Sequence, residues 1–144
     1  MTEVLFYMLS QETEAEKRNL FACRLAQKAF KEGCRVYLHT PDQASAEVMD
    51  RLLWQYPPSG FIPHGLLGQD GSERVALGWE DNPGDHNDVL INLATTVPGF
   101  VGRFRRASEV VVFTPSIQEP LRKSWAYYRD RGYPIESHEY KKQV

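Results

Sequence analysis

The chain has 144 residues, of which 42% are hydrophobic and 25% are charged, an ordinary composition for a globular domain with a real core. No apolar run approaches the ~20 residues that a transmembrane helix needs, and the first residues lack the positive charge of a secretory signal. The formal net charge of −2 argues against a protein that binds nucleic acid with its whole surface. We therefore expect a single domain over residues 1–144, located in the cytoplasm, with no membrane contact.

Two units of strand followed by helix open the chain. They are the strand Val4–Met8, a helix between Thr13 and Gly33, the strand Val36–Leu38 and a helix from Thr40 to near Trp54. Short apolar runs indicate buried strands, and apolar residues at helical spacing indicate helices. The second helix start is the clearest, because Thr40, Pro41 and Gln43 are typical of N-cap, N1 and N3 positions. Right-handed crossovers between such units predict a Rossmann-like α/β fold, a mainly parallel sheet with helices on both faces.

The remaining predicted elements are shorter. They are strands at Val75–Trp79, Val89–Leu93 and Val110–Phe113, a helix closed by Gly132, and a last edge strand or tail at Ile135–Tyr140. Residues 98–107 form a short helical or irregular link. Between residues 56 and 67, three prolines and two glycines exclude a regular helix and indicate a rigid loop or sheet edge. That segment either packs under the domain or presents Trp54, Phe61 and Pro63 as a hydrophobic patch for another protein.

The motifs of phosphate, metal and redox chemistry are missing from the sequence. No glycine-rich phosphate loop follows the first strand, and no GxxxxGK[ST] pattern occurs. The four histidines are dispersed and the acidic loop at 80–88 lacks the EF-hand order, so we expect no metal and no cofactor. Cys23 and Cys34 are expected to be free thiols. One alternative stays open: a small α/β enzyme acting on a nucleotide or phosphorylated ligand at an unrecognised site, with Arg103, Arg105 and Arg106 holding the anion.

Positive charge collects near the C-terminus. Residues 1–102 carry eight Lys and Arg against fourteen Asp and Glu, whereas residues 103–144 carry nine against five. An advance of about 100° per residue along the last helix places a basic stripe beside its core face. The stripe is Gln118, Arg122, Trp125 and Arg129, and the core face is Ile117, Leu121, Ser124 and Tyr128. Two guanidinium groups beside an indole suit an acidic, partly apolar ligand, although such a stripe can also be a solvated helix face.

Five segments of the chain together resemble one protein family. They are VLFYML (4–9), LLWQYPPSGFIPHGL (52–66), DVLINL (88–93), VVVFTP (110–115) and YYRDRGY (127–133). The chain is similar, nearly end to end, to the chi subunit of bacterial DNA polymerase III holoenzyme. Trp54, Phe61, Pro63 and His64 are the most specific part of the likeness. The resemblance implies a Rossmann-like fold without a cofactor and a function in binding rather than catalysis.

The resemblance also implies two protein partners. One surface would bind the psi subunit, which tethers chi to the clamp loader, through Trp54, Phe61, Pro63 and His64. A separate surface would bind the acidic C-terminal tail of the single-stranded DNA-binding protein through Arg122, Trp125 and Arg129. Thr114 would border the apolar slot for the terminal phenylalanine of that tail.

Three positions depart from the family pattern. Gln118 and Ala126 stand where basic residues are expected, and Trp125 replaces a tyrosine. Lys123, Arg131 and the arginines at 103–106 are alternative sources of the missing positive charge. We expect an adaptor that makes no specific contact with nucleic acid and exists as a monomer or as a heterodimer with psi.

Overall fold

A computed structural model describes residues 1–55, 63–67 and 73–141. In chain order its elements are β1 (Glu3–Leu9), α1 (Ala15–Lys31), β2 (Val36–His39), α2 (Gln43–Gln55), β3 (His64–Leu66), β4 (Val75–Gly78), β5 (Val89–Asn92), a 3-10 turn (Val101–Arg103), β6 (Arg106–Val112), α3 (Pro115–Asp130) and β7 (Ile135–Tyr140). The strands form one sheet in the order β3-β4-β2-β5-β6-β1-β7, and each neighbouring pair is parallel. The predicted α/β class with a parallel sheet is confirmed.

Successive residues of the central strands point to opposite faces of the sheet. Val89 and Ile91 of β5 belong to the apolar cluster that α1 and α2 cover. Leu90, which lies between them, belongs to the cluster that contains Leu121 and Tyr128 of α3. The helices therefore cover both faces, as predicted, with α1 and α2 on one and α3 on the other.

The start of α2 differs in detail from the prediction. The helix begins at Gln43, and the Asp42 carboxylate accepts a hydrogen bond of 2.7 Å from the Ser45 backbone N–H, so Asp42 is the N-cap. Thr40, the predicted cap, is fully buried, and its hydroxyl donates to the carbonyl oxygen of Asp42 at 3.0 Å. Thr40 follows β2 directly, and its hydroxyl lies close to the carbonyl oxygens of Asp42 and Gly78, so it does not cap an N–H group of α2.

Two strands form the edges of the sheet. β3 lies in the segment predicted as a rigid loop or sheet edge, and it pairs with β4. β7 pairs with β1, so the C-terminal segment is an edge strand rather than a tail. β6 starts at Arg106, four residues before the predicted strand, because Arg106 pairs with both Glu3 and Val89. Residues 56–62 lie outside the described part of the chain.

A buried carboxyl group joins α3 to the sheet. Glu109 of β6 has no exposed surface, and its Oε2 accepts hydrogen bonds from the Tyr128 hydroxyl at 2.7 Å and the Asn92 amide at 3.0 Å. Burial raises the pKa of Glu109 to about 7, against the opposing effects of these hydrogen bonds and of the Arg18 charge. A polar contact therefore adds to the apolar packing that holds α3 in place.

Both cysteines are free thiols, as predicted. Cys23 of α1 is buried in the core, and burial raises the pKa of its thiol to about 12. In the ranges that the structure describes, none of the helices combines the length and the apolar character needed to cross a bilayer.

Candidate protein-docking sites

A small apolar slot lies between α3 and the strands β1 and β6. It encloses about 190 Å³ and is lined by Phe6, Met8, Val111, Gln118, Leu121, Arg122 and Trp125. Trp125 is half-buried, with its ring centroid 4.9 Å from that of Phe6 and the two planes tilted by 59°. Arg122 is exposed and brings the one positive charge among these lining residues. The slot therefore combines an aromatic wall, an apolar floor and a guanidinium group.

The size of the slot limits what it can hold. Pockets for drug-sized molecules enclose about 300–1,000 Å³, whereas this slot is smaller and fits a single large side chain. Arginine has a planar donor fork that matches a carboxylate. An apolar side chain that carries a carboxylate close to it would satisfy both parts of the slot.

Of the four residues predicted for the tail site, two line the slot and two do not. Arg122 and Trp125 line it together. Thr114 is half-buried at the N-cap of α3 and does not line the slot. Arg129 lies about two helical turns beyond Arg122, and its guanidinium donates to the Asp130 carboxylate at 3.1 and 3.2 Å. The structure therefore brings together the central pair of the predicted stripe.

Sequence reasoning missed the floor of the slot. Phe6 and Met8 come from β1, and Val111 comes from β6. Their alternation in the sequence places Phe6 and Met8 on one face of β1, but it does not show that α3 packs on that face. The strand order supplies that information.

A second candidate site lies at the C-terminal end of α2, where an indole is exposed. Trp54 is 54% exposed, as expected for a docking residue, and its ring centroid lies 4.6 Å from that of His64 in β3. The imidazole of His64 is buried, and its Nε2 lies 3.1 Å from Asp50 Oδ1 and 3.3 Å from the Asp50 carbonyl oxygen. The structure thus brings Trp54 and His64 together and adds Asp50, which sequence reasoning missed.

Pro63 and Phe61 are the other two residues that were predicted for this surface. Pro63 is exposed and directly precedes β3. Phe61 lies outside the described residues. The signal for Asp50 was its spacing, since residues four apart on a helix lie on the same side and Trp54 follows Asp50 by four.

The carboxyl ends of the strands, where parallel α/β sheets usually bind ligands, contain a buried arginine. Arg18 of α1 is only 4% exposed. Its guanidinium donates to the backbone carbonyls of Val110 and Leu93, each at 2.8 Å, and to that of Ala94 at 3.3 Å. Burial lowers the pKa of Arg18, and the charge of Glu109 opposes that change. The donors of Arg18 are thus directed to the backbone of this chain.

The arginines of the alternative anion site do not converge on one point. Arg103 donates to the Gly84 carbonyl at 3.1 Å, Arg105 donates to Asp88 Oδ1 at 2.8 Å, and Arg106 is half-buried in β6. The geometry of these three arginines therefore adds nothing to the anion-site hypothesis.

Across residues 1–55, 63–67 and 73–141, no group of three or more His, Cys, Asp or Glu side chains is arranged to hold a metal ion.

Comparison with known proteins gives one consistent family. The family model described as DNA polymerase III chi subunit, HolC, matches residues 1–136. The DNA polymerase III subunit chi of Pseudomonas aeruginosa is 43% identical over 138 residues, which cover 96% of both chains. The chi subunits of Escherichia coli and Haemophilus influenzae are each 26% identical, over 94% and 90% of this chain and 96% and 92% of their own lengths. The matched region includes both candidate docking sites.

Proposed function

Because the chain belongs to the DNA polymerase III chi subunit family, we propose that it is a non-catalytic accessory subunit that connects two proteins during DNA replication. One partner is the psi subunit of the clamp loader, and the other is the acidic C-terminal tail of single-stranded DNA-binding protein. The observation that carries the proposal is the slot that Trp125 and Arg122 form with β1.

The chemistry of the slot supports the tail as its ligand. The tail that the resemblance implies ends in a phenylalanine next to the free terminal carboxylate. Its ring would enter the slot and pack against Trp125 and Phe6, and its carboxylate would bind the guanidinium of Arg122. Exposed Lys123 and Arg129 on the same helix would attract the acidic residues that precede the terminus.

The position of the second site supports simultaneous binding of both partners. Trp54 is on α2 and the slot is beside α3, and these helices cover opposite faces of the sheet. A protein on one face therefore does not obstruct the other. The exposed indole supports a protein partner at α2, because Trp is among the residues most enriched at interface hot spots.

Replacing Arg122 by Ala is expected to weaken binding of the tail peptide by roughly 1 to 3 kcal/mol, the range for a charge-assisted hydrogen bond. Wild-type affinity should fall with added salt, since the contact is partly exposed. Isothermal titration at two salt concentrations measures both effects. Arg24→Ala removes an exposed arginine from α1 and serves as the matched control. Tail affinity of Arg122→Ala equal to that of the control would remove the slot from the proposal.

Replacing Trp125 by Ala is expected to weaken the same peptide by roughly 2 kcal/mol with little change in salt dependence, because the loss is mainly apolar burial. Trp125→Phe should retain most of the affinity, since a phenyl ring keeps the aromatic wall against Phe6. The same two titrations test this expectation. If the salt dependence fell as far as in Arg122→Ala, the division of the slot into an apolar and a charged part would be wrong.

Replacing Trp54 by Ala is expected to weaken psi binding by roughly 2 kcal/mol or more, as for a hot spot, and Phe61→Ala should have a similar effect. The thermal midpoint should change little for Trp54→Ala, because the side chain is half-exposed. Tail binding should stay at the wild-type level in Trp54→Ala, and psi binding should stay so in Arg122→Ala. If either variant lost both psi binding and tail binding, the proposal that the two sites are independent would be wrong.

A further inference from the structure

Near the end of α2, Asp50 contacts His64 and His64 contacts Trp54, and the three side chains differ in their exposure to solvent. Trp54 is exposed, His64 beneath it is buried, and the Asp50 carboxylate is 33% exposed. Asp50 and Trp54 are four residues apart on the helix, so they lie on one side and His64 from β3 meets both. The exposed indole is thus supported by a ring that belongs to a different element.

The hydrogen bonds fix the orientation of that ring. Nε2 of His64 faces two acceptors, the Oδ1 and the backbone carbonyl oxygen of Asp50, at 3.1 and 3.3 Å. A ring nitrogen between two acceptors must carry a hydrogen. The ring is therefore held as a donor toward α2, with its plane tilted by 48° to that of the indole.

Asp50 does not favour the formation of the helix in which it lies. Aspartate is a poorer helix former than alanine by several tenths of a kcal/mol, because its short carboxylate competes for backbone hydrogen bonds. Its carboxylate is directed to His64 across the gap between α2 and β3. This contact serves the arrangement of the surface rather than the formation of the helix.

We propose that Asp50 is a positioning residue for partner binding: it locks His64, and His64 holds the Trp54 indole in the orientation that the partner meets. The inference rests on the proposed function of this surface as the psi site. A side chain that is already ordered loses less freedom on binding. The Asp50–His64 contact therefore increases the affinity for the partner by ordering the Trp54 indole in advance.

The experiment compares Asp50→Ala, Asp50→Asn and Glu47→Ala, each prepared with 5-fluorotryptophan. Glu47 is exposed on the same helix, and its carboxylate accepts a hydrogen bond from the Gln43 amide rather than from His64. Glu47→Ala therefore controls for the loss of one negative charge. Fluorine NMR reports Trp54 directly, with Trp79 and Trp125 as internal references. The Trp54 signal is assigned by its disappearance in Trp54→Phe. Titration with purified psi subunit then gives the affinity.

We expect Asp50→Ala to shift and narrow the Trp54 resonance, to leave the Trp79 and Trp125 resonances in place, and to weaken psi binding about three- to tenfold. Asp50→Asn, whose amide oxygen still accepts from Nε2, should stay within about twofold of wild type. Glu47→Ala should match wild type in both measurements.

Three outcomes would overturn the inference. They are a Trp54 resonance unchanged in Asp50→Ala, an affinity loss no greater than that of Glu47→Ala, and a shift of all three resonances, which would show a general structural role. If wild-type protein does not bind psi, the proposed psi site fails, and the Trp54 resonance alone still decides whether Asp50 positions the indole.

Discussion

Replacing Arg18 by Met is expected to lower the free energy of unfolding by roughly 3 to 5 kcal/mol, because the variant leaves buried backbone carbonyls without donors. The guanidinium donates to the carbonyl oxygen of Val110 within β6 and to those of Leu93 and Ala94, which follow the adjacent strand β5. Methionine fills a similar volume, so the loss reports hydrogen bonds rather than a cavity. Urea denaturation followed by far-UV circular dichroism measures the difference.

Lys28→Met is the matched control, since Lys28 is an exposed cation on the same helix, and its effect should stay below about 0.5 kcal/mol. Arg18→Lys should lie between the two, because a single ammonium group cannot reproduce the planar fork that serves several carbonyls. A stability of Arg18→Met equal to that of the control would show that water replaces the guanidinium at these oxygens.

The second large effect concerns pH. The pKa of Glu109 is raised from its ordinary 4.5 to about 7 in the folded protein. Between these values the folded state keeps a proton that the unfolded chain has released, so wild-type stability falls as the pH rises through this window, by about 3 kcal/mol in total. Glu109→Gln cannot titrate, and its amide oxygen can accept the hydrogen bonds from Tyr128 and Asn92. The stability of the variant relative to wild type should therefore increase from pH 4.5 to 7 and then level off.

Other titrating groups do not obscure this difference. Burial lowers the pKa of His39 and that of His86, so each makes the folded state less stable as the pH falls below about 6.5. Both proteins contain these histidines, and their effect cancels when variant and wild type are compared at each pH. Exposed Glu119→Gln controls for the loss of a carboxyl group on α3. A difference between Glu109→Gln and wild type that is constant with pH would contradict the raised pKa.

The sequence was most informative where its signal is local. Periodicity in α3 identified Ile117, Leu121, Ser124 and Tyr128 as its core face. The last three are buried, and Ile117 is half-buried and packs against the core. Short apolar runs identified β2 and β5 to within a residue. The prolines and glycines at 56–67 did not distinguish a loop from a sheet edge, because the three residues of β3 form a strand only through their pairing with β4. Long-range pairing also explains why β6 starts before its most apolar residues.

The candidate sites were predictable in part for the same reason. Arg122 and Trp125 lie within one turn of one helix, so their proximity followed from helical geometry. Phe6 and Val111 reach the slot through the strand order, which no local pattern gives. His64 was recognised through the family resemblance, whereas its contact with Asp50 depends on how α2 packs against β3.

The construction of the slot has a consequence for the order of events during protein synthesis. Phe6 and Met8 are synthesised well before Trp125 and before the strand β7 that pairs with β1. At roughly 5–20 residues per second, β1 waits on the order of ten seconds for these neighbours. A nascent or prematurely terminated chain without α3 cannot form the slot. Under the proposed function, chains that lack α3 would therefore not bind the tail of single-stranded DNA-binding protein, and such fragments would not compete for it.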